Sequence, residues 1–128
     1  MIELLVSVLI FAFGMLGLIG TMNKTLGYSQ VSLFRSQATA LSDDILDRMR
    51  TDPAHARNGD WSNEFDDPAA SFTGTTIAQT DLKDWKSQVE ALLPSGQASI
   101  AVNSGIVTVT IQWSERGTST PFQTVSSL

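Results

Sequence analysis

Polar and apolar positions divide the chain into three stretches with different periods. From Leu4 to Asn23 no charged residue occurs, and the run is apolar on every side rather than along one stripe. As a helix rising 1.5 Å per residue, such a run would extend about 30 Å, the thickness of one hydrocarbon core. A soluble helix keeps a polar face, and a body this small could not enclose a helix without one, so the pattern predicts a membrane span. A secretory signal peptide is the competing reading. It would need a shorter apolar region behind a basic stretch, and no basic residue precedes this one. The helical spacing also continues from Thr25 to Arg50, so the segment is expected to be retained.

Beyond Asn23 the period stays helical but narrows to one face. Val31, Phe34, Ala38, Leu41, Ile45 and Met49 recur at spacings of three and four, a stripe that predicts packing on a core. Asp44 and Arg48 stand four apart beside it. Pro53 disfavours helical geometry at Asp52, which predicts an end near Thr51. Residues 52–79 then read as an irregular connection. Arg57-Asn-Gly-Asp60 and Asp66-Asp-Pro68 are turn chemistry, with Trp61, Phe65 and Phe72 expected to pin the loop to the core. A second helix is expected over residues 81–93, capped by Thr80 or Asp81, with Leu82, Trp85, Val89 and Leu92 inward.

At Ala98 the period changes to two. Ala98, Ile100 and Val102 form one inward set and Val107, Val109, Ile111 and Trp113 the next, joined by a turn at Asn103-Ser-Gly105. A weaker strand at Phe122–Val125 is expected after a polar loop over Ser114–Thr120. The expected fold class is therefore α+β. Residues 1–23 form a membrane half-helix and 24–51 an amphipathic half-helix. Residues 52–128 form a globular part that ends in an antiparallel sheet at 97–128.

Composition narrows the functions. The formal net charge of −5 excludes the basic stripe that direct nucleic-acid binding requires. With no cysteine and one histidine, His55, in a turn-rich loop, no thiolate site or catalytic constellation can be assembled. No cofactor is expected, and the reading is not an enzyme. The acidic cluster Asp60, Glu64, Asp66 and Asp67 is a candidate calcium site, although its spacing is not that of an EF-hand loop and solvated acidic loops are commoner.

Two features of the apolar run bear on assembly. Gly14, Gly17 and Gly20 recur every three residues, permitting close helix approach or bending. Glu3 is the only acidic residue ahead of the amphipathic stretch. A carboxylate at the edge of a membrane helix is costly to bury without a partner. From its position alone, it fits the headgroup region with no further role.

Several segments together resemble the type IV pilin superfamily and, within it, the PilV family of minor pilins. Met1-Ile-Glu-Leu-Leu-Val-Ser-Val-Leu-Ile10 is similar to the superfamily's Leu-Ile-Glu-Val-Leu-Val-Ser start. Gly14-Met-Leu-Gly17, Arg35-Ser-Gln-Ala38, Asp47-Arg-Met-Arg50 before Asp52-Pro53, Leu92-Leu-Pro-Ser-Gly96 after Trp85, and Val107-Thr-Val-Thr-Ile-Gln-Trp113 resemble the minor pilins. The resemblance implies a type IV pilin fold and a subunit that joins other minor pilins in a complex priming pilus assembly. That complex sits at the pilus tip and supports twitching motility and adhesion. The resemblance also implies that Glu3 pairs with the N-terminal amine of a neighbouring subunit. The implied partners are other minor pilins, the major pilin, the bacterial inner membrane before assembly, and a prepilin peptidase. The head would face the periplasm and end in an extracellular pilus. A basic leader, its terminal glycine and two further residues would precede Met1. Many PilV relatives carry a cysteine pair in the loop, which aromatic contacts such as Trp61 and Phe65 would replace here. A minor pseudopilin of a type II secretion system and a single-span anchored binding domain are the alternatives.

Overall fold

A computed structural model describes residues 1–115 and 117–128, without the side chains of residues 23–28. The boundary expected at residues 23 and 24 falls among those side chains, outside the described residues. The chain is α+β. Helix α1 (Ile2–Thr51) is followed by α2 (Pro53–Asn58), a 3-10 turn (Ala69–Ser71), α3 (Ile77–Leu92) and strands β1 (Gln97–Asn103), β2 (Ile106–Glu115) and β3 (Thr118–Ser127). The strands form one antiparallel sheet in the order β1-β2-β3. Two compact units divide the chain, residues 1–33 and 34–128.

Helix α1 carries Glu3 in its first turn and Arg48 and Arg50 in its last, charges that complement the helix dipole at both ends. Within the second unit its inward face is broader than the expected stripe. Ala38, Leu41, Ile45 and Met49 are buried, Phe34 packs against the core, and Leu46 and Ser42 are buried beside them. Leu46 lies four residues after Ser42 and one after Ile45, which widens the stripe to that of a globular core helix. Val31 is half-buried and belongs to the first unit.

Residues 52–79 contain more helix than their turn residues predict. Pro53 starts α2, where its fixed φ and missing N–H fit the first helical position. Gly59, at φ 86°, ends it in the left-handed conformation and returns its N–H to Ala56 O at 3.2 Å. Helix α3 begins at Ile77, a turn earlier than the cap expected at Thr80 or Asp81. Thr76 is the cap, its hydroxyl accepting from Gln79 N at 3.3 Å. Asp81 is used elsewhere, as a partner for Arg48. After α3, Gly96 passes so close to the Val89 carbonyl that a side chain there would collide with it.

The alternation read over the first two strands holds. Ala98 and Ile100 on β1, and Val107, Val109, Ile111 and Trp113 on β2, are buried; Val102 is half-buried against the same core. Ser104 and Gly105, at φ 51° and 80°, make the connecting turn with positive φ at both central residues, as a type I′ hairpin needs. The expected loop at Ser114–Thr120 is mostly strand. β2 runs to Glu115 and β3 begins at Thr118, paired Glu115↔Thr118 around Gly117 at φ 82°. Hydroxyl side chains at Thr118, Ser119 and Thr120 read as loop by polarity, although each pairs with β2.

Tryptophans join the layers. Trp61, Trp85 and Trp113 are fully buried, and Trp85 Nε1–H donates to the Leu41 carbonyl of α1 at 2.8 Å. Arg48 adds a clamp between helices, with Nη2 3.0 Å from Asp44 and Nη1 3.1 Å from Asp81. Trp61 and Phe72 are buried in the core and Phe65 is half-buried, so the connection is held by aromatic packing.

Candidate functional site

Helix α1 from Ile2 to Met22 is long and apolar enough to cross a membrane, and none of this stretch is buried within the protein. Its large side chains stand open along the whole length, among them Leu4, Leu5, Phe11, Phe13 and Leu18. Burying apolar surface contributes about 25 cal/mol per Å², so a helix apolar on every side requires lipid or other chains around it. Among the described residues, Gly14, Gly17 and Gly20 meet nothing where a side chain would project, so no described contact requires glycine there.

Glu3 is exposed in the first turn. Its backbone carbonyl accepts from the Ser7 hydroxyl at 2.7 Å, an ordinary contact one turn apart. Among the described residues the Glu3 carboxylate enters no ion pair. The first unit therefore presents a single carboxylate at one end of an uncovered apolar helix. Such a group in a membrane or a helix bundle needs a cation as its partner.

The acidic loop is organised differently from a cation cage. Lys86, on α3 and only 3% exposed, inserts beneath it. Its ammonium donates to the backbone carbonyls of Glu64 at 2.6 Å and Asp67 at 2.5 Å. Asp67 in turn accepts from Glu64 N at 2.9 Å. Burial pushes the Lys86 ammonium below its ordinary value, while the carboxylates of Asp67, Glu90, Asp66 and Glu64 pull it the other way. Lys86 also lies 5.6 Å from the centre of the Phe72 ring. Among the described residues no three His, Asp or Glu side chains converge as metal ligands. Asp60 is exposed outside this arrangement. The carbonyl oxygens of Glu64 and Asp67, which a calcium ion would use, face the lysine. Lys86 was legible as a lone charge on the apolar face of α3, four residues after Leu82 and three before Val89.

His55 sits on α2 rather than in a loop, with Nδ1 2.8 Å from the Asp52 carboxylate. The hydrogen bond that His55 donates to Asp52 raises the histidine above its ordinary 6.5, and the same bond lowers Asp52 below 3.8. The two contributions to stability have opposite limits. That of His55 is complete below pH 6.5 and is lost as pH rises through its raised value. That of Asp52 is complete above pH 3.8 and is lost as pH falls through its lowered value. The pair therefore favours the folded corner most between these two values. An NMR titration of the His55 ring is expected to give a midpoint above 6.5 that returns toward 6.5 in Asp52→Asn. An unchanged midpoint in that variant would remove Asp52 as the cause.

No protein-family model, curated protein or solved structure matches the chain. By its own features it is an α+β domain preceded in sequence by an apolar helix long enough to span a membrane.

Proposed function

We propose that the protein is a minor pilin of the PilV type. In this reading it joins other minor pilins to prime assembly of a type IV pilus and stays at the tip, supporting twitching motility and adhesion. The observation that carries the reading is the apolar, wholly uncovered stretch of α1 with Glu3 in its first turn. The same helix continues to Thr51 and enters an α+β core through Ala38, Leu41, Ile45 and Met49. Lipid covers the apolar stretch in the bacterial inner membrane, with the domain in the periplasm. Neighbouring subunits cover it in the filament. Glu3 meets the N-terminal amine of a neighbour, which supplies a cation that none of the described residues provides. Gly14, Gly17 and Gly20 allow the close helix approach that such a bundle needs.

The reading is tested by Glu3→Ala at the native locus in the host. Surface filaments are expected to fall sharply while the protein remains in the membrane at its usual level. Normal filament numbers with this variant would count against the proposal.

A further inference from the structure

The two edges of the sheet are finished differently. The outer edge of β1 is partly closed by Asn63, which exchanges both main-chain hydrogen bonds with Ile100 at 3.0 and 3.2 Å and adds a side-chain bond at 2.9 Å. Among the described residues β3 pairs only with β2. Its orientation follows from the register. Leu128 N–H donates to the Gly105 carbonyl at 3.0 Å, just beyond the pair Ile106↔Ser127. In an antiparallel ladder successive residues alternate direction, so even-numbered residues of β3 turn their main chain toward β2 and odd-numbered ones turn away. Pro121 is odd-numbered, and the N–H it lacks costs the ladder nothing.

The outward N–H groups of Ser119, Gln123, Val125 and Ser127 have no main-chain partner in another segment among the described residues. Proteins usually protect such an edge with a lysine, an inward charge, a proline or a covering segment. Pro121 protects the end nearest the turn. From Gln123 to Ser127 the strand itself supplies none of these devices, and the whole strand Thr118–Ser127 carries no charge; the charges beside it are Arg50, which donates to the Ser126 hydroxyl at 3.0 Å, and Arg57, which donates to the Leu128 carbonyl at 3.4 Å. Val125 is 60% exposed and Ile106, on the same outer face of neighbouring β2, is 50% exposed.

We propose that the Gln123–Ser127 edge pairs antiparallel with the same edge of a second copy, about a two-fold axis at Val125. That register sets the two Val125 side chains opposite each other and a glutamine opposite a serine at either end, so the edge is self-complementary. It also suits the charge of the chain. Two copies of net charge −5 repel across most approaches, and β3 brings no carboxylate to the contact. The inference rests on the sheet alone and does not depend on the pilin reading.

The absence of cysteine makes the test direct. In an antiparallel pair sharing hydrogen bonds, opposed Cα atoms lie about 5.5 Å apart, within disulfide range. The full chain carrying Val125→Cys, in detergent micelles under mild oxidation, is expected to form a disulfide dimer. Its rate should be at least about fivefold that of Ser87→Cys, an exposed site on α3. Adding Gln123→Pro removes one outward N–H and is expected to return the rate to the control. As a check free of substitutions, exchange of the Val125 amide in the unmodified chain should slow as protein concentration rises. Equal crosslinking at both cysteines, or exchange independent of concentration, would overturn the proposal. Such results would leave the Glu3 experiment unaffected.

Discussion

Replacing Trp85 by alanine is expected to remove a large part of the stability of the domain formed by residues 34–128. The indole is fully buried between α1 and the sheet, so its loss combines transfer free energy with a cavity that rigid neighbours cannot fill. Substitutions of this kind cost about 3–5 kcal/mol. A domain near 100 residues commonly has about 5–15 kcal/mol in total. The lost Nε1–H bond leaves the Leu41 carbonyl with its helical partner alone, which adds about 1 kcal/mol at most. Trp85→Phe keeps much of the packing and loses that bond, so it should fall well short of the alanine effect. Urea unfolding of the full chain in detergent, followed by near-ultraviolet circular dichroism, measures both. A Trp85→Ala cost below about 1 kcal/mol would mean that Trp85 does not hold α3 to α1.

The second large effect concerns solubility. Residues 2–22 contribute no buried residue to the protein, and every buried residue of the core cluster lies at Ala38 or beyond. Removing residues 1–28 is therefore expected to convert a protein that requires detergent into one soluble without it. The thermal midpoint of the domain should be left within a few degrees, since stability shifts below about 0.5 kcal/mol move it little. The complementary change is Phe11→Lys in the intact chain. An ammonium at the centre of a membrane helix costs about 2.5–3.5 kcal/mol on insertion scales, so the ratio of inserted to uninserted chain should fall by roughly 70-fold at the lower end and several hundredfold at the upper. Loss of folding in the truncated chain would show that the apolar stretch serves the domain rather than an external partner.

The parts of the fold that could be read from the chain are those whose pattern repeats. Alternation from Ala98 to Trp113 gave two strands and their turn, because a half-buried sheet imposes a period of two. The stripe from Ala38 to Met49 gave the inward face of α1. What escaped depends on contacts between distant residues. Asp81 reads as a helix cap by its neighbours, and only the approach of α1 to α3 makes it the partner of Arg48. Helix α2 is too short for a period, so its proline and glycine read as turn signals when they are its two ends. Thr118 to Thr120 are polar and look like loop, although β2 gives them a ladder. The acidic loop was legible as a cluster of carboxylates. That its backbone carbonyls turn inward to Lys86 follows only from α3 bringing that lysine beneath it.

Glu3 was the reverse case, since its local setting says little and no described residue forms an ion pair with it. Its role is tested most directly by where the protein goes. Filaments sheared from cells carrying either the unmodified chain or Glu3→Ala, analysed by quantitative mass spectrometry, report incorporation itself. The unmodified chain is expected in the sheared fraction at low stoichiometry, and Glu3→Ala is expected to be confined to the membrane. Equal recovery of both chains in filaments, or absence of the unmodified chain from them, would contradict it.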